Sequence, residues 1–171
     1  MNRMAVVGVR VEMPSQQPVL LLKEEDGERY LPIWIGPVEA SAIAYAQNGM
    51  TPPRPLTHDL LRNLLEAFQV SLAEVRIVEV RDGTFYADLV FSNGVELSAR
   101  PSDSVALALR TGASIVCTED VLAAEGVAMP GEQEDEVEKF REFLDTISPE
   151  DFGRHLGDTP PGSSPGPGGS Q

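Results

Sequence analysis

Three dipeptides limit this chain's fold most strongly. Asp26-Gly27, Asp82-Gly83 and Asn93-Gly94 each stand between apolar segments. Such pairs tolerate the positive φ angles of two-residue hairpin turns, so each predicts a reversal between antiparallel strands. The flanking segments read as strands over 3–12, 17–25, 28–35, 70–81, 84–92 and 95–100, with a short one from Ser114 to Cys117. Three helical patterns interrupt them. Gly36-Pro37 opens one that runs to about Gln47, with the proline suited to a first turn. Thr57 is the expected N-cap of a second, whose Leu60, Leu61, Leu64, Leu65 and Phe68 form an apolar stripe expected to enter the core. Pro101-Ser102 opens a third, with Ser102 as a capping candidate and Val105, Ala106 and Leu109 as its small apolar face. Hairpins interspersed with helices predict an α+β fold with mixed or antiparallel sheets.

Two segments resemble each other. Residues 31–48 read LPIWIGPVEASAIAYAQN and residues 95–112 read VELSARPSDSVALALRTG. At an offset of 64 positions Pro37 meets Pro101, Glu39 meets Asp103, and Ala42, Ile43 and Ala44 meet Ala106, Leu107 and Ala108. Each has a turn upstream, a strand, a proline, a carboxylate two residues later and a small-residue helix. This pattern predicts a duplicated β-hairpin–helix unit. A carboxylate in a helix's first turn also favours the dipole, which gives Glu39 and Asp103 a purely structural reading beside any functional one.

Charge is unevenly spread. Residues 1–118 hold 10 Lys and Arg against 14 Asp and Glu, while 119–171 hold 3 against 13. The net −14 argues against nonspecific binding to polyanions. The expected organisation is one domain over 1–128, an acidic linker with a short helix over 129–147, and a tail rich in Pro, Gly and Ser over 148–171. That helix, about 134–145, carries Val137, Phe140, Phe143 and Leu144 on one face. No apolar run approaches the roughly 18 residues a bilayer span needs. The apolar start is broken by Arg10 and Glu12, so no signal peptide is expected. A single cysteine, Cys117, excludes an internal disulfide framework and a cysteine-rich zinc site; it is expected to be buried and inert, in a reducing cytoplasmic setting. Sheet edges that need covering predict a homo-oligomer, with no membrane partner.

No phosphate-binding loop, nucleophile elbow, zinc-protease motif or dinucleotide fingerprint occurs. The polar clusters are instead local. In PPRPLTHDLL, residues 52–61, Arg54 sits in a proline-stiffened loop, and His58 and Asp59 fall in a helix's first turn. An imidazole beside a carboxylate and an arginine can act as acid, base or metal ligand. The alternative is that His58 is a surface residue and Asp59 a dipole partner. Arg100, Ser102 and Asp103 form a second cluster, either an anion site at a helix start or an Arg–Asp pair holding the turn. Asp82 belongs to a third, where the hairpin itself explains it. Trp34 and Tyr45 read as core or rim aromatics, although such rings can stack on bases.

At these motifs the chain resembles a known family. LPIWIGPVEASAIA, PRPLTHDLL, DGTFYADL, ARPSDSVALALR and the following VL–AEG together look like the bifunctional nuclease (BFN) domain. The likeness runs over about residues 3–128. It departs at Ser98 and Ser104, where alanine or aspartate is expected around ARPSD. The resemblance implies a cytoplasmic α+β protein that cleaves DNA and RNA, with nucleic acid as its substrate. It carries over Glu39, Arg54, His58, Asp59, Asp82, Arg100, Ser102 and Asp103 as motif members, without roles. Roles follow from residue chemistry. His58, Asp59, Glu39 and Asp103 are the catalytic candidates, and Arg54, Arg100 and Ser102 the substrate-binding ones. Glu39, Asp59 and Asp103 are the candidates to hold a divalent ion such as Mg or Mn. The rival expectation is a regulatory or small-anion-binding module without catalysis.

Overall fold

The structure is a computed structural model describing residues 1–128; the linker and helix expected over 129–147 and the tail expected over 148–171 lie outside the described residues. The elements run β1 (Asn2–Glu12), β2 (Gln17–Glu24), β3 (Arg29–Trp34), α1 (Pro37–Gln47), α2 (Thr57–Ala67), β4 (Leu72–Arg81), β5 (Thr84–Phe91), β6 (Glu96–Ala99), α3 (Pro101–Thr111), β7 (Ser114–Cys117), α4 (Glu119–Glu125) and β8 (Val127–Ala128). Eight strands form one sheet in the order β6-β5-β4-β7-β1-β2-β3-β8. It is α+β, and antiparallel except where β4 pairs with β7.

The order has a simple logic. β1–β2–β3 and β4–β5–β6 are two meanders, and β7 joins them. Parallel pairing of β7 with β4 needs a long crossover, which α3 supplies. Between β7 and β1 the pairing is confined to Asn2 with Cys117 and Arg3 with Val116. The core packs Leu20, Leu22 and Leu31 from one meander and Val75, Ile77 and Ala87 from the other under Ile43 of α1 and Val105–Ala108 of α3. Small residues let α3 lie close: Pro101, Ser102 and Ser104–Ala108 are all buried.

Local chemistry explains the turns, and corrects one. Asp82 and Gly83 have φ of 49° and 74°, and Arg81 pairs directly with Thr84, so this is the expected two-residue turn. At Asn93-Gly94 only Gly94 has a positive φ, and the Phe91 N–H donates to the Val95 carbonyl across a three-residue loop. Asp26-Gly27 departs from expectation. It sits in a four-residue connection and neither residue has a positive φ. There a Cβ on Gly27 would collide with the Glu24 carboxylate, so the glycine serves close approach instead.

Three further expectations fail. Leu56, not Thr57, is the N-cap of α2, and the Asp59 carboxylate accepts from the Leu56 N–H at 3.0 Å. Arg100, not Ser102, occupies the N-cap of α3, which leaves Ser102 inside the first turn. The leucine stripe of α2 does not enter the core. Leu60, Leu61, Leu64 and Phe68 are 50%, 39%, 42% and 74% exposed; only Leu65 packs partly against the core. The one buried residue of α2 is His58. Helical periodicity reports that a face is apolar, not that the same chain covers it. Neither α4 nor β8 is legible in the sequence pattern. α4 has seven residues, too few for periodicity, and is set by the Thr118 hydroxyl accepting from the Val121 N–H.

The runs β2–β3–α1 and β5–β6–α3 share an element order. In both, a proline starts an 11-residue helix and a carboxylate, Glu39 or Asp103, stands at its third position. This likeness of order does not by itself establish a duplication.

Candidate functional site

Each meander contributes a hairpin turn and a helix start to one cleft. Ser15–Pro18 of the β1–β2 turn, Ile33–Pro37 at the start of α1, Gly83–Phe85 of the β4–β5 turn and Arg100–Ser102 at the start of α3 line a volume of about 670 Å³. That lies within the range of small-molecule sites. Two helix N-termini meet there, and each presents unsatisfied N–H groups and a partial positive charge. Arg100 is the one charged side chain of the lining.

Arg100 ties the two helix starts together. Its Nε donates to Asp103 Oδ2 at 2.8 Å, and its Nη2 donates to Glu39 Oε1 at 2.9 Å. Neither carboxylate engages Nη1. On the far side, His58 Nε2 lies 3.0 Å from Asp103 Oδ1. Residues from three separate segments of the sequence therefore form one chain of contacts, His58–Asp103–Arg100–Glu39. The His58 side chain is 8% exposed, so the surface reading of this histidine is corrected. It forms part of the α2–α3 contact and reaches the cleft only through Asp103. Glu39 Oε2 is the one oxygen of the two carboxylates without a hydrogen-bond partner among the described residues. It lies over Gly36, where a Cβ would collide with it.

Three expected members stand apart. Asp59 Oδ1 accepts from Arg110 Nε at 2.7 Å, in a pair whose side chains are 14% and 5% exposed. Arg110 also donates to the carbonyls of Ala106 (2.7 Å) and Ala42 (3.0 Å), so it joins α1, α2 and α3. The Arg110 guanidinium, then the Leu56 N–H, holds the Asp59 carboxyl below its ordinary range against the opposing effect of burial. Arg110 is missed in the sequence because a basic residue in a helix's last turn already has a dipole explanation. Arg54 is exposed, does not line the cleft and pairs with no other described residue. Asp82 is an exposed turn residue.

The carboxylates Glu39, Asp59 and Asp103 do not fit a shared divalent ion as they stand. Arg100 occupies the first and last, and Arg110 the second. Among the described residues no three His, Cys, Asp or Glu side chains are placed to hold one.

Ser102 and Trp34 complete the cleft. Ser102 is 6% exposed and its hydroxyl has no hydrogen-bond partner among the described residues. No fully buried polar side-chain atom is unsatisfied, so that hydroxyl reaches the cleft surface. Trp34 lines the cleft while 50% exposed; Tyr45, 39% exposed, does not line it. Cys117 is fully buried, and burial pushes its thiol up to about 12, which makes it unreactive.

No described helix is long and apolar enough to cross a membrane. The uncharacterized proteins MT1877 and Rv1829, from two Mycobacterium tuberculosis strains (CDC 1551 and H37Rv), are each 58% identical to this chain over 161 residues. The match spans 89% of this chain and 98% of each relative. Residues 20–130 match the bifunctional nuclease domain, a span that holds the whole His58–Asp103–Arg100–Glu39 chain, so this chain belongs to the bifunctional nuclease domain family.

Proposed function

We propose that the chain hydrolyses phosphodiester bonds of DNA and RNA at the cleft between the α1 and α3 starts. The observation that carries the reading is Arg100, which joins two helix N-termini and two carboxylates at the mouth of a cleft. Glu39 Oε2 takes the proton of the attacking water. Arg100 and the first N–H groups of α3 offset the charge that builds on phosphorus. The leaving oxygen is protonated by solvent. His58 is a positioning residue that orients Asp103, which in turn holds Arg100. Asp59 serves the fold, and Arg54 contacts only substrate that runs beyond the cleft. Reading phosphate rather than base edges explains indifference to the sugar.

The test is a nuclease assay on purified parent, Glu39→Gln and Arg100→Ala, with and without EDTA. Glu39→Gln is expected to lower turnover by about 10²–10⁴, the usual range for a general base. Cleavage is expected to persist in EDTA because arginine, rather than an ion, holds the carboxylates. Equal cleavage by all three proteins overturns the site and points to contamination. Loss in EDTA, restored by Mg or Mn, assigns the carboxylates to a metal after displacement from Arg100. A second reading, a non-catalytic anion-binding module, draws support from the arginine pairing of every candidate carboxylate; it predicts phosphate binding without cleavage.

Homo-oligomerisation and a cytoplasmic location belong to the same proposal. The exposed leucines of α2 support the first, and the lone buried thiol supports the second.

A further inference from the structure

A cleft at two helix N-termini is a generic anion site, and what distinguishes this one is its wall. We propose that it is a single-strand subsite, with an unpaired base stacked on Trp34 and the adjoining phosphate held by Arg100 Nη1, the Ser102 hydroxyl and the α3 N-terminus. This deepens the nuclease reading and rests on it for the substrate class.

Three observations converge. First, Ser102 is more than nine-tenths buried, yet its hydroxyl opens onto the cleft without a partner. Open to the cleft, that hydroxyl can donate to or accept from a ligand oxygen in place of water. Second, Trp34 stands half-exposed in the lining of the same cleft. A large aromatic left in water beside a phosphate-sized donor set suits stacking, worth about 1–3 kcal/mol per base. Third, the cleft has one cation, and the chain carries −14 overall. Tracking the backbone of a duplex needs many cations. A wall of stacking and hydrogen bonds does not.

Stacking on Trp34 does not suit an intact duplex. Base faces in a duplex are covered by their neighbours, so Trp34 reaches one only on an unpaired strand or an end. Stacking by itself gives weak sequence preference, because every base has a face. The single cation also fixes the salt dependence. One phosphate contact on a single strand gives a slope of about −0.7 in log K against log salt.

Trp34 is the chain's only tryptophan, so its fluorescence reports this wall alone. The experiment titrates the full chain, in the Glu39→Gln background that suppresses cleavage and over a series of salt concentrations, with a single-stranded hexadeoxynucleotide and with a blunt hairpin duplex. Anisotropy of the labelled hexamer is followed in parallel for that background alone and with Ser102→Ala, Trp34→Phe or Trp34→Ala added. Saturable quenching by the hexamer is expected, with at least tenfold weaker response to the duplex. Ser102→Ala is expected to weaken the hexamer by roughly 2–10-fold, one hydrogen bond's worth. Trp34→Ala is expected to weaken it by at least fivefold and Trp34→Phe by less, each with an unchanged circular dichroism spectrum. Equal binding of duplex and hexamer, a salt slope steeper than about −2, or binding unmoved by all three substitutions overturns the subsite. Cleavage of duplex by the parent without any Trp34 response leaves the nuclease reading standing and removes this one. Quenching without cleavage by the parent does the reverse.

Discussion

Removing the Asp59 carboxylate is the most informative perturbation of the fold. Asp59 pairs with Arg110 at 2.7 Å, and the arginine side chain is 5% exposed. Asp59→Ala strands that charge where water cannot replace the partner. Breaking a buried pair from one side costs about 3–5 kcal/mol, against a typical domain stability of about 5–15 kcal/mol. The loss falls on the junction of α1, α2 and α3, because Arg110 also reaches the Ala42 and Ala106 carbonyls. Those carbonyls lie within α1 and α3 and keep their helical acceptor roles, so Arg110→Met orphans neither. The double variant Asp59→Leu with Arg110→Met is therefore expected to lie within about 1 kcal/mol of the parent, or above it, since apolar replacement of a buried pair is often neutral or stabilising. Urea unfolding, followed by circular dichroism and Trp34 emission, gives the four corners of the cycle. A cost under about 1 kcal/mol for Asp59→Ala, or a double variant as unstable as the summed singles, refutes the reasoning.

Three other outcomes are expected. The folded Asp59 carboxyl titrates below its ordinary value of 3.8, so its contribution is present above that value and is lost as pH falls below it; the stability gap between parent and Asp59→Asn should close over that window in acid denaturation. Gly36→Ala is expected to change stability by under about 0.5 kcal/mol, because φ is an ordinary −75° and the obstacle is the flexible end of Glu39. The same change should lower turnover by about 10²-fold, since it displaces the base, and an unaltered rate counts against Glu39. Leu60→Ser with Leu64→Ser is expected to leave the fold intact and to shift the light-scattering mass to that of a monomer at micromolar concentration; a parent that is already monomeric removes the oligomer proposal.

The hairpins and the helix starts were legible because backbone chemistry is local. Asp82-Gly83 forms its turn through its own φ angles, and Pro37 and Pro101 open helices through theirs. The leucine stripe of α2 misled because burial is not local. Which face of α2 meets α3 is decided by the pairs His58–Asp103 and Asp59–Arg110, whose partners lie 45 and 51 positions away. A pattern of apolar spacing carries no record of them.

The site shows the same division. Glu39 and Asp103 stand at the third position of their helices, as the alignment of the two segments has it. What the sequence lacked was the register between the halves, which lets one Arg100 reach both carboxylates. That register follows from the crossover through β7, a strand of four residues whose pairing with β1 covers only two. Arg54 and Asp59 illustrate the limit. Both lie within five residues of His58, and neither shares its contact chain: Asp59 is one position along α2, where adjacent side chains point in different directions, and Arg54 lies in the loop before the helix. Proximity along the chain was weaker guidance here than helical position, which put Glu39 and Asp103 within reach of Arg100, the charged residue that lines the cleft.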